Sequence, residues 1–298
     1  MEVFMDYFFI VNPVAGLGKG LKVWEKIENY LNKEKIKFDY KITEYPKHAT
    51  EIAKDVVKKG YKVLISVGGD GTTREVADGI EDKDVSLGII PAGRGRDLPR
   101  TLKLPKNPLD ALKLIIKNSK TIEIDHPKVN DERFVNFCGV GLDAEVAKVA
   151  NTKYKGFGTL SYLIAFLEVL IKWKVPEFVI EVEGKIRNIK AYLITIANGK
   201  FAGGGMQISP YSNIEDGLLD IVIFHNMTKL KLFFNFPRVY FGGTHMKLDV
   251  VEHIRTKDIK INFKENITTQ ADGDLVDGTT KHFKIDGKKI KVFVSENY

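Results

Sequence analysis

Three glycine-rich turns in this sequence carry residue types that bind phosphate groups. They read NPVAGLGKG at 12–20, GGDGTT at 68–73 and PAGRGRD at 91–97. Glycine lets the backbone approach phosphate oxygens closely, and the dipole of a helix opening after Thr72 adds a positive end there. One such turn alone is typical of any tight connection, whereas three together indicate a nucleotide site.

The second turn also contains a carboxylate, Asp70. A negative charge among phosphate-facing amides repels phosphate unless a metal ion or a proton offsets it. Phosphoryl transfer offers both roles, because Mg²⁺ bridges phosphates and a carboxylate can orient the attacking hydroxyl. The alternative is that Asp70 caps the following helix. We favour the chemical role because Thr72 is already a suitable cap.

The elements that must position these turns alternate as strands and helices over the first third of the chain. YFFIVNP, KFDYKITEY, KVLISVGG and VSLGIIPAG are strand-like, and helical segments separate them. This rhythm predicts an α/β fold with an open parallel sheet covered by helices on both faces. Ligands bind at the carboxyl ends of such strands, where all three turns are predicted to lie.

After about residue 120 the pattern changes to short strand-like segments separated by turns. Two stretches, 144–173 and 228–241, are predicted to be helical. The second part is therefore predicted to be a β-sandwich, and the break falls near Asp125.

Composition limits the partners without choosing among them. The net charge of +7 favours an anionic partner such as a nucleotide, a membrane surface or a nucleic acid, although a solvated basic surface explains it equally well. The lone Cys138 fits a reducing compartment. The uncharged run from Gly156 to Leu167 is shorter than the ~18 residues of a membrane span, so we predict a buried helix, with a surface that leans on a membrane as the alternative. The histidines lack zinc-ligand spacing.

Several motifs resemble one known family. NPVAG, SVGGDGTTREV, PAGRGRD, ISPYSNIEDGLLDIVIF and ADGD at 271–274 are similar to segments of the diacylglycerol and sphingosine kinase catalytic domain. The stand-alone bacterial and archaeal lipid kinases are the most similar type, and the resemblance covers essentially the whole chain. GGDGT alone is shared with NAD kinases, whereas NPVAG and DGLLD together are more specific.

The resemblance implies a fold of two domains. An α/β nucleotide-binding domain would span 1–125, with about 286–298 returning to it, and a β-sandwich lipid-substrate domain would span 126–285. It also implies an ATP- and Mg²⁺-dependent kinase that phosphorylates the hydroxyl of a diacylglycerol-like or sphingoid lipid. Such an enzyme would be cytoplasmic and could associate peripherally with a membrane surface, where its lipid substrate lies. A nucleic acid partner is not implied, and a homodimer is left open.

The family's functional residues map onto named positions of this chain. The ATP site would be lined by Asn12, Pro13, Gly16, Thr43, Gly68, Gly69, Asp70, Gly71, Thr72, Thr73 and Arg74. Asp70 would organise Mg²⁺ and the phosphates. Asp216, with carbonyls near Asn213 and Leu218, would hold a structural Mg²⁺. Asp274 would be the general base, with Asp70 as the alternative.

Four residues depart from the family pattern. Arg94 and Arg96 stand where Thr and Asn are usual, Arg74 replaces an Asn, and Asp274 replaces a Glu. The pair Arg94 and Arg96 would clamp nucleotide phosphates or change the nucleotide preference. A shorter carboxylate at Asp274 can still accept a proton if its backbone lies closer.

Two other functions remain open on the sequence alone. An NAD kinase shares GGDG and the two-domain plan, and the departures above would also fit a nucleotide-binding regulatory protein with weak or no kinase activity. The segment KLKLFFNFPRVYFGG at 229–243 mixes aromatic and basic residues. It is predicted to pack in the core or, alternatively, to touch anionic lipid headgroups.

Overall fold

The computed structural model describes residues 7–117, 120–154, 160–264, 267–296 and 298. They form two compact units. Unit 1 consists of residues 1–126, 203–205 and 288–298, and unit 2 consists of residues 127–202 and 206–287.

Unit 1 is built on one six-stranded sheet with the strand order β2-β1-β3-β4-β17-β5. Its strands are β1 (Tyr7–Val11), β2 (Phe38–Ile42), β3 (Val63–Gly68), β4 (Ser86–Pro91), β5 (Thr121–Asp125) and β17 (Lys289–Phe293). Its helices are α1 (Ala15–Lys33), α2 (His48–Lys58), α3 (Asp70–Gly79), α4 (Asp97–Thr101) and α5 (Pro108–Ile116). Strands β1 to β4 are all parallel, as the alternation of strands and helices predicts.

Burial in unit 1 follows from helices packing against the sheet. Alternate residues of β1 and β3, such as Phe9 and Ile65, form one buried cluster with Trp24 and Ile27 of α1 and Leu112 of α5. All six residues of β3 are buried, which is why its sequence is apolar throughout rather than alternating.

The last strand of the sheet comes from the far end of the chain. β17 pairs in parallel with β4 on one side and antiparallel with β5 on the other. The predicted return of the C-terminal segment to the nucleotide-binding domain is therefore confirmed.

Unit 2 is a β-sandwich-like fold, as predicted. Its strands are β6 (Lys128–Val129), β7 (Glu132–Arg133), β8 (Phe137–Gly141), β9 (Glu177–Val182), β10 (Lys185–Ala197), β11 (Leu219–His225), β12 (Val251–Thr256), β13 (Asp258–Phe263), β14 (Thr269–Ala271), β15 (Asp274–Leu275) and β16 (Thr280–Lys284). The long strand β10 pairs with β9 through its first half and with β8 and β11 through its second half. Ile180 of β9, which pairs with the first half of β10, and Ile196 in the second half of β10 belong to one buried cluster.

The helices of unit 2 differ from the prediction in two places. The helical stretch predicted over 144–173 contains α6 (Leu142–Thr152) and α7 (Leu160–Lys172), and residues 156–159 of the apolar stretch lie outside the described residues. The helix predicted over 228–241 is α8 (Lys229–Asn235), followed by a 3₁₀ helix over Phe236–Tyr240. Pro237 ends the regular α-helix because it has no N–H to donate. A second 3₁₀ helix spans Thr244–Lys247.

None of the helices in the described part of the chain is long and apolar enough to cross a membrane.

Candidate functional site

Backbone hydrogen bonds hold the strand ends of unit 1 together at the three glycine-rich turns. The N–H of Asn12, after β1, donates to the carbonyl of Val67 in β3 at 3.0 Å. The N–H of Ala92, after β4, donates to the carbonyl of Gly68 at 2.8 Å, and Thr43, after β2, donates to Val11 at 2.8 Å. The predicted crevice residues are thus neighbours at one edge of the sheet.

Two glycines let the turns touch each other. A Cβ at Gly93 would lie 2.5 Å from the Cα of Gly69, and a Cβ at Gly16 would lie 2.3 Å from the carbonyl oxygen of Ala92. Gly16 also has a φ of 61°, which favours glycine. Side chains at these positions would push the turns apart.

The helix after the second turn begins earlier than predicted. α3 starts at Asp70 with Gly69 as its N-cap, and no side chain caps it. Thr72 lies inside the helix, where its hydroxyl accepts a hydrogen bond from the Asn12 amide at 2.9 Å. Thr72 therefore joins the first turn to α3 rather than capping it, and the reason given above for assigning Asp70 a chemical role was wrong.

Asp70 does cap a helix, but not its own. Its Oδ1 accepts hydrogen bonds from the N–H groups of Asp97 at 3.1 Å and Leu98 at 3.2 Å, which begin α4. Burial raises the pKa of the Asp70 carboxyl above its ordinary value, against the lowering effect of these backbone donors. The carboxyl group of Asp70 is thus held in place by hydrogen bonds, and its ionisation is unfavourable because it is buried.

Asp97 is a second carboxylate of this site that the sequence analysis missed. Its carboxylate accepts a hydrogen bond from the N–H of Gly204 at 2.8 Å and forms an ion pair with Arg100 at 3.1 Å. Burial and, next, the neighbouring charge of Asp70 raise the pKa of Asp97 to about 6. Two adjacent carboxylates with raised pKa values are suited to a divalent cation, which would offset both charges.

The three arginines that depart from the family pattern lie in different surroundings. Arg74 is buried, and its guanidinium lies 3.7 Å from the carboxylate of Asp78 one helical turn away. This pairing favours a structural role over the predicted nucleotide contact, because the charge is already engaged. Arg94 is exposed and Arg96 half-buried beside Asp97, and within the described ranges neither side chain has an ion-pair partner.

Two aspartates of the ADGD segment in unit 2 have different environments. Asp272 is buried, and its carboxylate accepts hydrogen bonds from the N–H groups of Val135 at 2.7 Å, Asn136 at 3.1 Å and Phe137 at 3.0 Å. Asp274 is exposed on β15, where it pairs with Ala271 of β14. Asp272 therefore stabilises the sheet, whereas Asp274 is accessible to a substrate.

The residues predicted to hold a structural Mg²⁺ already have partners. Asp216 accepts hydrogen bonds from the N–H of Leu218 at 3.0 Å and, through its other oxygen, from the Arg255 guanidinium. The side-chain oxygen of Asn213 accepts from the N–H of Glu215 at 3.3 Å. A guanidinium thus supplies the positive charge at this loop without a metal ion, and the assignment of Asp216, with carbonyls near Asn213 and Leu218, to a structural Mg²⁺ stays a prediction.

We expect chelation to leave the stability of the nucleotide-free protein unchanged. Adding EDTA should not alter the melting temperature, because Arg255 neutralises Asp216 without a metal. Arg255→Ala should lower the melting temperature by at least about 2–4 °C, because the guanidinium pairs with Asp216 and also lies 3.5 Å from the buried carboxylate of Asp220. Differential scanning calorimetry tests both, and a fall of several degrees on adding EDTA to the unmodified protein would contradict this arrangement.

Asp143, at the start of α6, is another carboxylate that the sequence did not single out. A Cβ at Gly139 would lie 1.9 Å from its Oδ2, so the glycine provides the space for this carboxylate. Its Oδ1 is buried and has no hydrogen-bond partner among the residues described. Burial raises the pKa of Asp143 to about 7, and backbone donors at the start of α6 oppose this shift.

Asp143→Asn should therefore stabilise the protein at high pH. An acid whose pKa is raised in the folded state favours folding below its unfolded pKa, near 4, and this contribution is lost as the pH rises toward about 7. The gain from the substitution should be at most about 4 kcal/mol at pH 8, because the pKa is raised from near 4 to about 7, and it should fall toward zero near pH 4. Urea unfolding across this pH range measures it, and a gain independent of pH would contradict the assigned cause.

Comparison with known proteins shows that this chain is a phosphotransferase and identifies its family. Residues 6–129 match the diacylglycerol kinase catalytic domain, and residues 136–294 match the YegS C-terminal NAD kinase beta sandwich-like domain. YtlR of Bacillus subtilis, provisionally named a lipid kinase, is 32% identical, covering 92% of this chain and 94% of that protein.

Other relatives agree with this assignment. A diacylglycerol kinase of Bacillus subtilis is 29% identical, covering 76% of this chain and 75% of that protein. A crystal structure of a diacylglycerol kinase from Bacillus anthracis has a TM-score of 0.79 at 25% identity, covering 100% of this chain and 99% of that chain. The chain belongs to the diacylglycerol kinase-like family of lipid kinases, and it is a phosphotransferase.

Proposed function

We propose that this protein transfers the γ-phosphate of ATP, with Mg²⁺, to the hydroxyl of a diacylglycerol-like or sphingoid lipid. Membership of the kinase family supports phosphoryl transfer. The observation that carries the choice of acceptor is a cleft in unit 2 whose wall includes the strand that bears Asp274.

The turns of unit 1 would bind the nucleotide phosphates. The backbone N–H groups around Gly16, Gly69 and Gly93 would approach the phosphate oxygens, since these positions lack side chains. Arg94 and Arg96 would add positive charge at the third turn, which suits a polyphosphate. Asp70 and Asp97 would hold the Mg²⁺ that arrives with ATP, and when bound this ion would neutralise charge on the transferring phosphate.

The cleft in unit 2 suits a molecule with apolar chains. It is open, has a volume of about 1160 Å³, and its lining includes the apolar residues Trp173, Val175, Phe263, Ile267 and Val276. Charged residues of both signs stand among the other lining residues: Lys174 and Lys264 are exposed, and Lys148 forms an ion pair with Glu145 at 3.5 Å. Acyl chains would contact the apolar residues, and the charged residues would face the polar groups of the acceptor.

Asp274 is the residue that we propose as general base. It immediately precedes Leu275 and Val276, which both line the cleft. The carboxylate of Asp274 would accept the proton of the lipid hydroxyl as that oxygen attacks the γ-phosphate. Asp274→Asn should then lower kcat without weakening acceptor binding.

A buried lysine contacts the backbone of residues that line the cleft. The ammonium of Lys281 is fully buried, and it donates hydrogen bonds to the carbonyl of Val276 at 2.9 Å and to that of Asp277. Desolvation lowers the pKa of Lys281 below its ordinary value. This contact fixes the backbone of the segment that follows Asp274.

An acceptor panel tests the proposal. Purified protein is incubated with labelled ATP, Mg²⁺ and, separately, diacylglycerol, a sphingoid base or NAD. Label in one lipid supports the proposal, whereas label only in NAD would identify an NAD kinase. ATP binding without transfer to any acceptor would identify a regulatory nucleotide-binding protein.

Filling the cleft tests where the acyl chain binds. Val149→Trp, on the α6 wall of the cleft, should raise KM for long-chain acceptors at least about tenfold and leave a short-chain acceptor almost unaffected, because only long chains lose buried apolar area. Val179→Trp, on the partly exposed strand β9 outside the cleft, is the matched control. Equal effects of Val149→Trp on both chain lengths would place the acyl site elsewhere.

A further inference from the structure

A second apolar feature of unit 2 lies outside the cleft. The segment 226–248 exposes large apolar side chains, including Leu230 at 70%, Phe234 at 72% and Phe241 at 68% of their full accessible area. Leu230, Phe233 and Phe234 follow helical spacing and form one stripe on α8. The prediction that 229–243 packs in the core is therefore right for Leu232 and Val239. It is wrong for Leu230, Phe233 and Phe234.

Helix α7 continues the exposed apolar surface beside this segment. Leu163, Leu167 and Ile171 are exposed and recur every four residues, so they form one stripe on α7. The ammonium of Lys229 donates a hydrogen bond to the carbonyl of Ile171 at 2.5 Å, and the rings of Phe166 and Phe236 stack at 4.4 Å. We call the exposed side chains of α7 and of 226–248 together the aromatic surface.

The charges of the segment 226–248 have one sign, and Glu168 of α7 is paired with Lys153 and Lys172. From residue 221 to residue 248 the chain has four basic residues, Lys229, Lys231, Arg238 and Lys247, and no acidic residue. Lys231, Arg238 and Lys247 are exposed and have no ion-pair partner within the residues that the structure describes. A single exposed cation is ordinary, whereas unpaired cations interspersed with exposed aromatic rings favour an anionic partner with an apolar interior.

We propose that the aromatic surface binds the protein to anionic lipid bilayers. Apolar rings would enter the boundary between headgroups and acyl chains, and the cations would remain at the level of the anionic headgroups. A second copy of the chain fits less well, because two such surfaces would bring eight unpaired or weakly paired cations together. This proposal rests on the proposed function in one respect, because a lipid acceptor would lie in a membrane.

Vesicle binding without ATP tests this surface independently of catalysis. We expect co-sedimentation with phosphatidylcholine vesicles containing phosphatidylglycerol and much weaker binding to phosphatidylcholine alone. Lys231→Gln with Arg238→Gln should weaken binding to the anionic vesicles about 25-fold, or about fivefold for each cation removed near the membrane. The matched control is Lys58→Gln with Lys185→Gln, which changes the net charge equally at exposed sites elsewhere.

The apolar contribution is tested with a second matched pair. Leu230→Ser should weaken vesicle binding at least about tenfold, whereas Ile186→Ser should not change it, although Ile186 is 69% exposed on β10. Circular dichroism checks that both variants fold. Equal binding of the two variants, or equal binding to neutral and anionic vesicles, would overturn the proposal.

Three outcomes separate this proposal from the proposed function. Vesicle binding with no lipid phosphorylation would leave the surface assignment standing and refute the lipid substrate. Phosphorylation of detergent-dispersed lipid by a protein that does not bind vesicles would refute the surface assignment alone. A stable dimer in sedimentation velocity that Leu230→Ser dissociates would assign the surface to a second copy and overturn the proposal.

Discussion

Asp70→Asn should lower kcat for phosphoryl transfer by about 100- to 1,000-fold, the cost of losing one electrostatic stabiliser of a transition state. The free energy of unfolding should not fall. Asparagine keeps a carbonyl oxygen for the N–H groups of Asp97 and Leu98, and it removes a charge whose pKa is raised by burial. Steady-state kinetics and urea unfolding on the same preparation test both parts.

Alanine is the less informative substitution at this position. Asp70→Ala would remove the charge and also the acceptor at the start of α4, so lost activity could reflect a displaced turn. Asp110→Asn, on the exposed start of α5, is the matched control and should keep normal kcat. Near-normal turnover of Asp70→Asn would remove Asp70 from the reaction.

Asp272→Ala should destabilise the protein by about 3–5 kcal/mol, because each of three backbone N–H groups would lose a bond to a charged acceptor. These donors belong to Val135, Asn136 and Phe137, at the entry to β8. Urea unfolding measures the loss. Asp272→Asn should cost less, because the amide oxygen still accepts and asparagine tolerates the φ of 47° at this position.

The control for Asp272 is Asp249→Ala, an exposed aspartate of the same unit. It should change the free energy of unfolding by no more than about 0.5 kcal/mol. If Asp272→Ala costs no more than this control, the three hydrogen bonds contribute nothing net to stability.

The sequence predicted the fold well because the signals for strands and helices are local. The apolar strand KVLISVGG and the glycine-rich turns after β1, β3 and β4 are visible in short windows. The boundaries were less certain. The start of α3 was misplaced because Thr72 has the composition of a cap, and only the neighbouring Asn12 shows that its hydroxyl is used elsewhere.

The sequence did not reveal the roles of Asp97 and Asp272, because their hydrogen-bond partners are distant along the chain. Asp97 binds the N–H of Gly204, 107 positions away, and no local pattern announces that contact. The three successive glycines at 203–205 were a visible signal, although nothing in the sequence gives their partner. Asp272 was noticed only as a neighbour of Asp274, since its three donors lie more than 130 positions earlier.

Because β17 lies between β4 and β5, the sheet of unit 1 cannot be completed until the end of the chain has been synthesised. The segment from Asp125, which ends β5, to Lys289, which begins β17, takes about 8–33 s to synthesise at the usual ~5–20 residues per second. Throughout that interval β4 has an unpaired edge that can recruit another chain. Nascent chains should therefore need a chaperone until the last strand emerges, and premature termination should yield aggregated protein rather than a soluble fragment.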